Sequence, residues 1–138
     1  MTGSFDSVDA LLAQARRSID RHAPADAARR VAEGALLVDI RPAWQRVEDG
    51  EIPGALVVER NHLEWRLHPD SGAALPQAAR DQSWIVYCTE GYSSSLAAAT
   101  LVSLGLRAGD LDGGIRAWRA AGLPIVAGGT PVEGVVGA

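Results

Sequence analysis

The chain has 138 residues, 47% hydrophobic and 22% charged, with a formal net charge of -4. That length suits one domain with its own core, and the acidic balance, with no basic stretch, argues against nucleic-acid binding. All thirteen basic residues are arginines, which excludes a Schiff-base lysine and a P-loop lysine.

In chain order, Phe5, Val8, Leu11, Leu12, Ala15 and Ile19 recur at helical spacing, with Asp6 or Ser7 as the cap. This predicts an N-terminal helical extension over 1–22. Pro24 fits the first turn of a second helix that runs to Glu33 and stops at Gly34. The apolar run 35–40 reads as a buried parallel strand, 42–48 as a short helix and 55–58 as a second strand. A helical turn is expected over 61–66, a loop over 68–72 and a short helix over 75–80. Residues 84–88 form the third strand. The helix after it would turn Leu96, Thr100, Leu101 and Leu104 to one face and end at Gly105. A brief strand at Asp110 and Leu111 precedes Asp112, Gly113 and Gly114, and a last helix covers 115–121. From residue 127 the Gly- and Val-rich tail is expected to be loosely held. Alternating strands and short helices imply an α/β layer fold with a small, mostly parallel sheet flanked by helices.

Cys88 is the single cysteine, which leaves no intrachain disulfide and no Cys-rich zinc site. His22, His62 and His68 lack metal-site spacing, so neither metal nor cofactor is expected. No signal-peptide pattern opens the chain and no apolar run reaches membrane-spanning length, so the expected location is the cytoplasm, without a membrane partner. Cys88 ends an apolar strand. It precedes the polar loop Thr89, Glu90, Gly91, Tyr92 and Ser93, and a helix begins near Ser94. Strand, tight loop and helix N-terminus point backbone N–H groups and a positive dipole end at one spot, which lowers a thiol pKa and raises its nucleophilicity. The plainer alternative is a buried core cysteine.

Other residues near this point also have two readings. Asp39 and Arg41 follow the first strand and form either an ion pair that fixes the loop or a direct substrate contact. Ser93 and Ser94 either donate to the sulfur or begin the helix, and Ser95 is assigned to the helix. Tyr92 is an exposed loop tip or a lid. Glu90 is solvated or selects a neutral or cationic donor. Arg60 and Arg66 either belong to a solvated, ion-paired helix or reach the site and offset Glu90.

Three ordered blocks resemble a single-domain rhodanese. The first runs from Leu37-Val38-Asp39-Ile40-Arg41-Pro42 to Gly50-Glu51-Ile52-Pro53-Gly54-Ala55. The second is Val86-Tyr87-Cys88 with its loop and helix. The third is Leu111-Asp112-Gly113-Gly114-Ile115-Arg116-Ala117-Trp118, followed by Ala121-Gly122-Leu123-Pro124. The resemblance implies a rhodanese-like three-layer fold over 23–126, with 127–138 as a C-terminal tail. It also implies a sulfurtransferase in which Cys88 takes a sulfane sulfur as a persulfide and passes it to a thiol or to cyanide. The donor would be thiosulfate or a persulfide. The alternative is a catalytically weak rhodanese-like module that binds a partner protein.

Related phosphatase domains carry a longer loop ending in arginine, and no arginine lies between Cys88 and Arg107. Rhodanese loops often carry basic residues where this one has Thr89, Glu90 and Ser93. A carboxylate ~5 Å from an anionic donor would cost on the order of 3 kcal/mol before screening. Glu51 stands where the family usually has histidine, a position read as structural.

Overall fold

Four of the strands anticipated from apolar runs or turn signals align in one direction, and a fifth joins them. The result is a wholly parallel sheet in the computed structural model, which describes residues 5–138. Residues 1–4 of the expected N-terminal extension lie outside that range. The elements are α1 (Val8–Arg17), β1 (Asp20–His22), α2 (Pro24–Ala32), β2 (Leu36–Asp39), α3 (Ala43–Asp49) and β3 (Leu56–Val57). After a 3-10 turn at Arg60–His62 come α4 (Leu63–Leu67), β4 (Ser83–Tyr87), α5 (Ser93–Ser103), β5 (Arg107–Leu111) and α6 (Gly114–Ala120). The sheet order is β1-β5-β4-β2-β3.

Side chains alternate across the central strands, as the two-residue period of a strand requires. Val38, Trp84 and Val86 pack with Leu63, Leu67, Ala97, Ala98 and Leu101 on one face, and Cys88 continues that row. Leu37, Ile85 and Tyr87 pack with Ala27, Ile115 and Trp118 on the other. Helices α4 and α5 therefore cover one face, α2 and α6 the opposite face, and α1 lies against α5. Among the described residues no helix is long and apolar enough to cross a membrane.

The structure corrects several expectations. Residues 20–22 are not part of a helical extension; they form edge strand β1, paired with Gly109, Asp110 and Leu111 of β5. Strand β5 is longer than expected. Gly109 hid it, and that glycine is there because a Cβ would lie 2.4 Å from the Asp20 carbonyl oxygen. Segment 75–80 is a turn, not a helix: Ala78 N–H returns to Leu75, Leu75 N–H is taken by Arg66, and Pro76 has no N–H to give.

The buried face of α5 is Ser94, Ser95, Ala97, Ala98 and Leu101, while Leu104 is exposed. A helix pressed between a sheet and α1 needs small residues on two sides, which the leucine spacing did not reveal. The tail is also pinned. Val57 N–H donates to Gly134 O at 3.0 Å and Val136 N–H to Ala55 O at 2.9 Å. Leu56 pairs antiparallel with Val135, and Val136 is buried. The tail thereby covers the otherwise open edge of β3.

Candidate active site

Strands β2 and β4 are neighbours, and their connections leave the sheet in opposite directions, β2 toward β3 and β4 toward β5. The crevice beyond their carboxyl ends is where open α/β sheets bind ligands. Asp39, Arg41 and Cys88 all lie there, joined by an Ile40 N–H bond to the Tyr87 carbonyl at 3.2 Å. A cavity of about 850 Å³ opens at the opposite pole among Gln82, Ser83 and Arg107, away from this chemistry. A second, of about 490 Å³, is lined by Ile40, Arg41, Pro42, Glu59, Arg60 and Asn61 at the carboxyl pole.

Cys88 is 6% exposed. The loop turns at Gly91, whose φ of +90° favours glycine, and Gly91 N–H donates to Cys88 Sγ at 3.2 Å. Burial pushes the thiol up. Bonds from the Ser94 and Ser93 hydroxyls and from the N–H groups of Ser94 and Gly91 outweigh burial, so the thiol titrates below its ordinary value. The loop is held from below by α6: Ile115 N–H donates to Cys88 O at 3.0 Å and Arg116 N–H to Thr89 O at 3.2 Å. A Cβ on Gly114 would stand 2.4 Å from the Thr89 oxygen, so the glycine pair lets α6 approach the loop backbone.

Among the residues singled out from sequence, Thr89 donates its hydroxyl to Gln45 Oε1 at 3.2 Å. Glu90 pairs with Arg116 at 3.2 Å on the surface. Tyr92 is 60% exposed, with the Arg16 guanidinium 5.7 Å from its ring centre. Asp39 and Arg41 form a buried pair, Nη2 to Oδ2 at 2.6 Å and Nε to Oδ1 at 2.9 Å, and Arg41 Nη2 also reaches Gly50 O at 2.7 Å. Tyr87 adds its hydroxyl to Asp39 at 2.8 Å. Burial and the Asp39 charge hold that phenol far above its ordinary value, so it remains a donor. Arg60 and Arg66 do not offset Glu90: Arg60 is forked to Glu64, and Arg66 bonds Glu133 and the Ala73 carbonyl. The α4 segment and the tail give those guanidinium groups closer carboxylates.

Sequence reasoning missed Arg16, Arg21, Ser95 and Asp110. Asp110 is a fully buried carboxylate at the end of β5. It accepts from Arg21 Nε at 3.0 Å, Ser94 Oγ at 2.9 Å and Ser95 Oγ at 2.8 Å. Its place at a strand's carboxyl end, just before the glycine turn, was the available signal. Arg16 and Arg21 carried no signal, because they sit in the segment read as an appendage.

The family model for the rhodanese-like domain matches residues 23–121. The chain belongs to the rhodanese-like domain family. A protein named sulfurtransferase from Allochromatium vinosum is 41% identical over 96 residues, covering 69% of this chain and 81% of its own. A solved structure from Rhodopseudomonas palustris CGA009, described as a protein of unknown function and possible tyrosine phosphatase, is 35% identical with a TM-score of 0.80; the match covers 91% of this chain and 99% of that one. Thiosulfate sulfurtransferase from Pseudomonas aeruginosa is 26% identical with a TM-score of 0.66, over 86% of this chain and 20% of that one. The family match and the Allochromatium relative support a sulfurtransferase-type function for this rhodanese-like domain.

Proposed function

We propose that this domain takes a sulfane sulfur onto Cys88 as a persulfide and hands it to a thiol or to cyanide. The Cys88 thiolate attacks the outer sulfur of the donor. A new S–S bond forms, the donor's own S–S bond breaks, and the leaving group departs with that electron pair, as sulfite from thiosulfate or as a thiolate from a low-molecular-weight persulfide. The acceptor then attacks the outer sulfur, and the thiolate returns. Cyanide leaves as thiocyanate and an acceptor thiolate leaves as its persulfide, so no external oxidant or reductant is needed.

The observation that carries this reading is the Gly91 N–H aimed at the buried Cys88 Sγ at 3.2 Å, at the turn where Ser93 and Ser94 open α5. Donors arranged around a buried sulfur favour an anion at that point, first the thiolate and then the terminal sulfur of the persulfide. Thr89, Glu90 and Tyr92 form the rest of the loop wall that a donor meets, and the Asp39–Arg41 pair fixes the neighbouring turn.

A phosphatase role is the competing reading suggested by the Rhodopseudomonas structure's description. Phosphoryl transfer needs a guanidinium aimed at the oxygens of the transferring group. No arginine lies between Cys88 and Arg107. Arg16 and Arg21 turn to the Gly91 carbonyl rather than to the sulfur.

The test is the intact mass of the reduced protein after brief exposure to thiosulfate or to a low-molecular-weight persulfide, with Cys88→Ala in parallel. Gain of one sulfur in the parent alone supports the reading. No gain from either donor in folded protein defeats it and favours a partner-binding module.

A further inference from the structure

The Gly91 carbonyl is gripped by side chains from α1 and β1. It accepts from Arg16 Nη2 at 2.8 Å and Arg21 Nη2 at 2.9 Å, with Ser95 Oγ at 3.2 Å. Ser95 has one proton, and Asp110 Oδ2 at 2.8 Å is both the nearer and the charged acceptor, so the donors to this carbonyl are the two guanidinium groups. No peptide among the described residues is cis, so the Tyr92 N–H on the same peptide plane points away from the arginines. The Gly91 N–H, on the preceding plane, points at Cys88 Sγ. A Cβ on Gly91 would lie 2.9 Å from Gly113 N and 3.0 Å from Arg21 Nη2, so the loop's back is closed by these groups.

Arg21 has a second effect. It forks onto buried Asp110 through Nε at 3.0 Å and Nη2 at 3.2 Å. The Ser94 hydroxyl, which donates to Asp110 at 2.9 Å, is one of the groups that lower the Cys88 thiol, so Arg21 and the sulfur are linked through Asp110 and Ser94. Burial alone would lower the Arg21 pKa; bonds to Asp110 and the charges of Asp110, Asp112 and the Cys88 thiolate raise it instead, so Arg21 stays charged.

We propose that Arg16 and Arg21, both outside the family-matched segment 23–121, are positioning residues for sulfur transfer. They hold the Gly91 carbonyl and thereby keep the loop's donors turned to Cys88, supplying from α1 and β1 the positive charge that the loop sequence lacks. The inference rests on Cys88 being the sulfur carrier proposed above.

The test is the pH profile of Cys88 alkylation by iodoacetamide in the full chain, with Arg16→Gln and Arg21→Lys and with thermal melting alongside. Arg16→Gln leaves Arg21 on both Gly91 and Asp110, so the fold keeps its buried ion pair. Arg21→Lys keeps a charge beside Asp110 but loses the fork that spans both partners. The midpoint is expected to rise by on the order of half a pH unit in Arg16→Gln, about threefold slower alkylation at pH 7, and further in Arg21→Lys. Should Arg21→Lys fail to fold, Arg16→Gln decides alone. Folded variants whose profiles superimpose on the parent's, whatever their melting temperature, overturn the proposal and reduce the arginines to tethers. A depressed midpoint in the parent with unmoved variants overturns this inference only. A parent midpoint equal to that of a free thiol overturns both it and the reading beneath it.

Discussion

The Glu90 carboxylate lies 3.2 Å from the Arg116 guanidinium, and both side chains are more than half exposed. The loop therefore presents a solvated pair to an incoming donor, not a bare negative charge. Exposed pairs contribute about 0.2–1 kcal/mol and are screened by salt, well below the 3 kcal/mol scale of an unscreened carboxylate. Glu90→Gln is expected to speed sulfur loading from thiosulfate by about threefold, and Arg116→Gln to slow it by a similar factor. Both differences should shrink as ionic strength rises. Sulfite release at low and high salt measures this, and identical rates in all three proteins would remove loop charge as a selector of donor.

The Cys88 thiol titrates below its ordinary value because its hydrogen bonds outweigh its burial. Only the thiolate reacts, so alkylation should fall as pH drops through that lowered value and reach its plateau below the pH a free thiol needs. Ser94→Ala removes one donor to the anion. Its profile should move to higher pH, with alkylation several-fold slower at pH 7. A Ser94→Ala profile matching the parent's would show that the backbone N–H groups suffice.

Asp39 is fully buried and takes four bonds, from Arg41 N, Nε and Nη2 and from the Tyr87 hydroxyl. Asp39→Ala leaves the Arg41 guanidinium buried without its counter-charge and should cost about 3–5 kcal/mol. Tyr87→Phe removes two bonds, one given to Asp39 and one accepted from Ile52 N–H, and should cost about 1–3 kcal/mol. Urea unfolding distinguishes them; equal, small losses would mean that Arg41 finds other partners.

Glu51 is buried between Arg46 and Thr130, and the Thr130 and Arg46 bonds outweigh burial to hold its carboxyl below the ordinary range. Because the folded value is the lower one, the stabilisation is fully present above about pH 4.5, the ordinary value, and is lost as pH falls through the folded value. Glu51→Gln should be less stable than the parent at pH 7 and show a shallower loss in acid. Thermal melting from neutral pH down to pH 3 tests the sign: parallel curves would mean that Glu51 contributes nothing that depends on its charge.

The central strands and the cysteine loop were legible because they carry strong local signals: uninterrupted apolar runs, a glycine turn, and small residues opening a helix. The short edge strand Asp20–His22 was not, because it is polar and gains its pairing only from β5. Gly109 reads as a strand breaker in sequence, yet it is required where Asp20 crosses close by. The tail's hold on β3 rests on Val57 meeting Gly134 and Val136 meeting Ala55 across a gap in sequence that no local pattern encodes. Ser95 looked like helix-starting material; its partners Arg16 and Asp110 come from separate parts of the chain.

The burial of Cys88 bears on regiochemistry. A persulfide has two electrophilic sulfurs. Attack on the outer one transfers sulfur, whereas attack on the inner one releases hydrosulfide and leaves the acceptor bonded to the protein as a mixed disulfide. With Cys88 only 6% exposed, the inner sulfur of the proposed persulfide would be shielded by the loop and the α5-side packing, while the outer one would stand about 2 Å further along the S–S bond. The same packing that hides the thiol would direct an acceptor to the sulfur whose loss regenerates it and away from the adduct that would stall turnover.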